Sequence, residues 1–268
     1  MVKLHSSKEI LIKMRRRLEI DVAKGCGVGL VIIGHMTSFV PHEIISWIYS
    51  FHMPLFFIIT GFFAKKSSKD ELKSVILKDI KNLLVPYYLF SFIFILIGLI
   101  TGEEIGSERI KDVLLGNGGI EVLWFLFALC GIKILFNILQ VVLSNDKALL
   151  ITNISLVILG YMFSLFNCDL PFKIGSIFYA IGFYYLGYLL KNQSIRVRAY
   201  LEKRIVPCII ISVIGWSVLS CLSKDNLVLD VNNNYCVDIV LNYIVAFAGT
   251  YIVLFVSEQM KKVKLLLL

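Results

Sequence analysis

His35 and His52 lie in long apolar runs separated by a short turn, Pro41-His-Glu43. A neutral imidazole is the commonest general base near pH 7. An ionisable group at membrane depth is costly, which makes it a functional candidate by default. His35 stands six residues before Pro41, and His52 stands nine residues after Glu43. If the two runs are helices, these offsets are roughly 9 and 13 Å below the turn at 1.5 Å per residue. The hairpin then brings both rings to similar depth on neighbouring helices. Taken singly, each histidine reads equally well as a hydrogen-bonded packing residue; together in one hairpin they read as a site.

A second spacing leads into that site. Ten residues separate Lys24 from His35, and four of them are glycines, at positions 25, 27, 29 and 34. Eleven helical steps are about three turns, so Lys24 and His35 share a face about 16 Å apart. The glycines let this helix pack closely on its neighbours or line a narrow passage. A basic mouth, a thin wall and a histidine at depth would suit a long anionic ligand entering from the cytoplasm. The plainer alternative makes Lys24 an interface anchor and the glycines packing residues. Glu19 and Asp21 are expected to neutralise Arg17 and Lys24 at the mouth. Lys133 falls in the middle of another apolar run, where it snorkels, pairs with an acid, or marks a shifted boundary. Trp47 and Trp124 are expected in an outer aromatic belt. The six cysteines show no CxxC or Cys/His spacing and read as small apolar residues, with no metal implied. Cys168, Cys221 and Cys236 leave room for one disulfide near the outer face.

The elements that must position these residues follow from composition. The chain has 268 residues, 58% hydrophobic and 17% charged, with mean hydropathy +0.82. Soluble domains hold about 45–50% apolar and about 25% charged residues. Disorder needs low hydrophobicity, so both soluble and disordered classes are excluded. Eight spans are predicted: Gly25–Val40, Ile44–Phe63, Leu83–Ile100, Leu123–Val142, Ala148–Phe166, Ile174–Leu190, Val206–Leu222 and Val237–Val256. Outside these spans, Lys and Arg divide 22 to 4 between alternate connections, with Lys133 inside a span. The richer side is cytoplasmic by the positive-inside rule, which puts both termini there. The net charge of +8 does not signal a nucleic-acid partner, because the basic residues interrupt apolar runs instead of forming one polar domain. The first apolar stretch lacks an A-x-A-like cleavage site and leads straight into a second span, so it is expected to be retained. The segment Lys65–Lys81 reads as a basic, partly helical stretch on the cytoplasmic surface, and Pro86 suits a kink or a helix start. The expected fold is an all-α, polytopic membrane helix bundle of about eight transmembrane helices, one domain over residues 1–268, surrounded by lipid.

The hairpin residues also carry a resemblance. Arg17-Leu-Glu-Ile-Asp21-Val-Ala-Lys24-Gly25 with Gly34-His35, and Phe51-His52-Met53-Pro54-Leu55-Phe56-Phe57-Ile58-Ile59-Thr60-Gly61, resemble the first two spans of acyltransferase-3-type integral membrane O-acyltransferases. Leu83-Leu84-Val85-Pro86-Tyr87, Leu123-Trp124-Phe125-Leu126-Phe127-Ala128-Leu129 and Ala180-Ile-Gly-Phe-Tyr-Tyr-Leu-Gly187-Tyr resemble later spans. These proteins modify bacterial surface sugars and related acceptors. The resemblance implies that His35 is the catalytic histidine and Lys24 its supporting basic residue. It further implies that His52 orients His35 or shares its proton, and that Arg17, Lys24, Lys78 and Lys81 receive the phosphates of acetyl-CoA or another acyl-CoA. Lys78-Asp-Ile-Lys81 stands where some members carry Arg-x-x-Arg, and lysine lacks arginine's bidentate fork. The implied partners are an acyl-CoA co-substrate and a sugar or glycan acceptor. No bound cofactor is implied, and the implied location is the bacterial inner (plasma) membrane. The family usually has about ten spans, whereas this sequence stops after the eighth predicted one, which leaves a short member, a shortened product or an incomplete sequence open. A transporter of a glycan or small solute is the rival from another class, weakened by the lack of internal repeats.

Overall fold

The computed structural model describes residues 19–116, 122–143, 145–168, 170–201, 204–223 and 227–266, with side chains described except at 192–201 and 261–266. Helix α1 occupies residues 19–34. It is followed by α2 (His42–Tyr49), α3 (His52–Phe62), α4 (Lys69–Asp79), a π-helical turn (Ile80–Leu84), α5 (Val85–Ile100) and α6 (Ser107–Leu114). Then come α7 (Trp124–Val142), α8 (Asp146–Leu165), α9 (Ile174–Leu201), α10 (Ile205–Leu222) and α11 (Ile239–Leu266). A short hairpin of β1 (Leu229–Asp230) and β2 (Tyr235–Cys236) interrupts the last connection. Six helical segments among the described residues are long and apolar enough to cross a membrane: His42–Phe62, Lys69–Ile100, Trp124–Val142, Asp146–Leu165, Ile205–Leu222 and Ile239–Met260. The other two expected spans fall on α1 and α9. The chain is an all-α, polytopic membrane protein.

Three boundaries differ from expectation, each for a local reason. Helix α1 stops at Gly34 instead of continuing to Val40. Gly34, Thr37 and Ser38 have poor helix propensity, and Pro41 pushes Val40 out of the α region. Residues 35–41 therefore form the connection through turns, with His35 N–H still closing the last helical turn onto Val31 O at 3.2 Å. The second expected span is two helices, because Pro54 cannot donate to the Ser50 carbonyl. At that break Phe51 N–H bonds Ile48 O at 3.1 Å, an i→i−3 contact. The basic segment 69–79 does not end before the third span but runs into it through the π turn, two residues ahead of Pro86. Pro86 has no N–H for the Asn82 carbonyl, and a wide turn absorbs the lost bond.

The chain forms two compact units. The first contains α1, α2, α3, α10 and α11. Its core joins Ala23 of α1, Phe51, Leu55 and Ile59, and Val253 of α11. Within this unit His42–Phe62 is 67% buried and Ile205–Leu222 only 22%, so the histidine hairpin is interior and α10 presents apolar side chains outward. Trp47 is half-buried and hydrogen-bonded inside the unit. Its Nε1 donates to Ser212 Oγ at 3.1 Å, and Trp216 Nε1 donates back to Ser46 Oγ at 3.2 Å. This exchange satisfies four polar groups in an apolar setting.

The second unit runs from Phe63 to Tyr188 and takes in residues 230–236. Trp124 is 5% exposed there. The α7 face built from Lys133, Asn137 and Gln140 faces the segment before and within α4. Ser67 Oγ donates to Asn137 Oδ1 at 2.8 Å, Ser67 N–H donates to Gln140 Oε1 at 3.3 Å, and Lys133 forms an ion pair with Asp79. All six cysteines are free thiols, so the room left for a disulfide among Cys168, Cys221 and Cys236 is unused.

Candidate functional site

The site begins with the close approach of α1 to α2. A Cβ on Gly34 would lie 3.0 Å from Tyr49 Cε2 and 3.9 Å from Ile48 Cγ2, so the bare glycine lets the end of α1 sit against the end of α2. Gly27 does the same lower down, where a Cβ would meet Phe56 Cζ at 2.8 Å. Gly25 and Gly29 face open space. Two of the four glycines therefore pack against neighbouring side chains, and two do not.

This packing brings His35 and His52 together around one ring. Tyr49 lies 6.4 Å from His35 and 4.8 Å from His52, centroid to centroid. His35 is exposed, whereas His52 is 3% exposed at the first turn of α3. Both imidazoles are tied back to their own chain. His35 Nδ1 donates to Val31 O at 2.8 Å, and His52 Nδ1 donates to Ile48 O at 3.0 Å. A carbonyl oxygen only accepts, so in each neutral ring Nδ1 carries the proton and Nε2 keeps the lone pair. His35 is thereby held in one orientation by its partner, on an exposed ring of the residue type that serves as a base or nucleophile. His52 stands one ring further in, buried behind Tyr49.

The basic residues have separate settings. Arg17 lies outside the described residues. Lys24 is exposed on α1 in the first unit. Lys78 and Lys81 are exposed in the second unit, either side of the junction between α4 and the π turn. Asp79, between them in sequence, turns inward to Lys133 and is 5% exposed. Lys133 therefore belongs to a buried pair, one of the readings open to it. Among the described residues no group of His, Cys, Asp and Glu is placed to hold a metal ion.

Sequence reasoning missed Tyr49 and Asp79. For Tyr49 the available signal was a large ring opposite a glycine in a tight hairpin. For Asp79 it was an acid able to reach the buried Lys133.

The acyltransferase-3 family model, described as an acyltransferase domain, matches residues 17–268. No curated protein and no solved structure matches the chain. The family match takes in both histidines, Lys24 and the Lys78–Lys81 pair, and the chain belongs to the acyltransferase-3 family of membrane acyltransferases.

Proposed function

We propose that the protein transfers an acetyl or short acyl group from cytoplasmic acyl-CoA to a hydroxyl of a surface sugar on the far side of a bacterial inner membrane. The observation that carries this reading is the setting of His35: an exposed ring held by Nδ1 on Val31 O, with His52 on the other side of Tyr49. In the direct route Nε2 removes the acceptor hydroxyl proton as the oxygen attacks the thioester carbonyl. The C–S bond breaks, and the imidazolium returns the proton to the leaving thiolate. In the covalent route the same lone pair attacks the thioester carbonyl and the C–S bond breaks to release the CoA thiolate; the acceptor hydroxyl then attacks the acyl-imidazolium, the C–N bond breaks, and the hydroxyl proton passes to the freed imidazole nitrogen and on to the thiolate through solvent. His52 acts on His35 through Tyr49, as a positioning residue. Lys24, Lys78 and Lys81, with Arg17, attract the phosphates of the donor. The family match supports acyl transfer, and the charge division of the sequence supports the sidedness.

The test is an assay of the full chain in lipid nanodiscs with labelled acetyl-CoA and a mixed sugar acceptor. Label moving to a sugar ester, with stoichiometric release of free CoA thiol, is the expected result. Thioester left intact, with an unmodified sugar crossing the bilayer in vesicles, would establish a transporter instead.

A further inference from the structure

The hydrogen bond from His35 Nδ1 to Val31 O runs within one stretch of chain, between residues four apart. It sets the imidazole relative to α1 and does not set α1 relative to the rest of the unit. Helix α1 ends at Gly34, and His35 opens the turns that follow. Helix ends fray, so a reactive ring at such an end keeps its place only if something outside the helix holds it.

Tyr49 supplies that hold through two contacts of one ring. Its Cε2 and Cδ2 lie 3.0 and 3.6 Å from where a Cβ of Gly34 would stand, so the ring abuts bare backbone one residue before His35. The same ring meets the His35 imidazole, with centroids 6.4 Å apart and planes inclined by 39°. Backbone and side chain at the end of α1 therefore share one support.

The support is itself anchored. His52 packs on Tyr49 at 4.8 Å between centroids, is buried, and is tied by Nδ1 to Ile48 O. Ile48 and Ser50, on either side of Tyr49 in sequence, are both buried. Ser50 Oγ donates to Trp47 O at 2.6 Å and Phe51 N–H donates to Ile48 O, so the backbone beneath Tyr49 is bonded across the break between α2 and α3. The indole–hydroxyl exchange of Ser46 and Trp47 with Ser212 and Trp216 holds α2 to α10. Tyr49 thus reaches from a fixed element to the terminus of another.

We propose that Tyr49 is a positioning residue for acyl transfer: its ring, and not its hydroxyl, seats the His35 imidazole at the end of α1. His52 is the buttress behind that seat. The role in transfer rests on the proposed function; the seating does not. An aromatic pair at this separation shifts a local equilibrium about 2- to 10-fold. A displacement of about 1 Å at a reacting group can cost about 10² in rate, so turnover should respond more strongly than the exposure of the ring.

The test compares Tyr49→Phe, which keeps the ring, with Tyr49→Leu, which removes it. The full chain in nanodiscs is treated with diethyl pyrocarbonate, and carbethoxylation of each histidine is followed by peptide mass spectrometry, with exposed His42 as the internal reference. The same preparations are assayed for acyl transfer. Tyr49→Leu should raise the His35 rate about 2- to 10-fold with His42 unchanged, and lower kcat about 10- to 10²-fold with KM for acetyl-CoA unchanged. Tyr49→Phe should restore both to within about twofold of wild type. An unchanged or lowered His35 rate in Tyr49→Leu, a rise in KM with kcat kept, or a Tyr49→Phe variant as impaired as Tyr49→Leu overturns the proposal. If Tyr49→Leu does not fold, Gly34→Ala, which presses on the same ring from α1, should raise the His35 rate instead, and an unchanged rate there overturns the proposal equally. Wild-type protein that transfers no acyl group contradicts the proposed function, and the His35 rates then decide the seating alone. Transfer that depends on His35 while Tyr49→Leu changes neither readout does the reverse.

Discussion

The hairpin of the first unit and the α4–α7 contact of the second both hold ionisable groups among apolar helices, and they handle them in opposite ways. In the hairpin, His35 and His52 donate from Nδ1 to backbone carbonyls, with His35 exposed. In the α4–α7 contact, Lys133 and Asp79 are opposite charges that neutralise each other, with Asp79 almost wholly buried. An exposed ring held in one orientation is placed where it can react; a group consumed by its partner is arranged to hold two helices in register. The difference teaches that depth in the membrane nominates a residue, and that the partner decides its role.

Breaking the hairpin should cost activity and spare stability. His35→Ala should lower acyl transfer by about 10²–10⁴, the usual contribution of a general base. Because His35 is exposed, unfolding should shift by no more than about 0.5 kcal/mol. Breaking the ion pair should do the opposite. Lys133→Met strands the Asp79 carboxylate, and denaturation in detergent should show a loss of about 3–5 kcal/mol, largely restored by adding Asp79→Leu. A restored double variant would place the pair among structural contacts, whereas an unfolded one would mean that Asp79 has further partners.

Smaller changes sharpen the contrast. Gly34→Ala pushes a methyl into the Tyr49 ring and should cost about 1–3 kcal/mol, with a several-fold fall in activity. Gly29→Ala faces open space and should gain up to about 1 kcal/mol from helix propensity. Paired thermal unfolding of the two variants reads both signs at once. Replacing both Lys78 and Lys81 by Ala should have the smallest effect. Exposed ion contacts are worth about 0.2–1 kcal/mol each, so KM for acyl-CoA should rise only a few-fold, and less at high salt.

Much of this organisation is visible in the amino-acid sequence, for a physical reason. Apolar runs of spanning length have few alternatives, so α5, α7, α8 and α10 lie close to their expected bounds. His35 and His52 stand out because imidazoles are rare among such residues. The tautomers could not be read, since they depend on which carbonyl a ring meets. Asp79 is one acid in a basic stretch, and its partner is 54 residues away. Tyr49 looks like any aromatic in an apolar run until Gly34 is seen against it. The settings of the tryptophans depend on particular partners that composition does not show: Trp47 donates to Ser212 and Trp216 to Ser46, while Trp124 is buried.

Sided proteoliposomes give the most direct test of the central claim, that His35 serves the transfer of an acyl group from a cytoplasmic donor to an outer sugar. Labelled acetyl-CoA is sealed with the cytoplasmic face, and the sugar is supplied only on the other. Label should appear as an ester on the outer sugar, and it should fall by at least about 10² in His35→Ala at equal protein level. Label that crosses equally well without His35, or that never leaves the thioester while wild-type protein is folded, would contradict it.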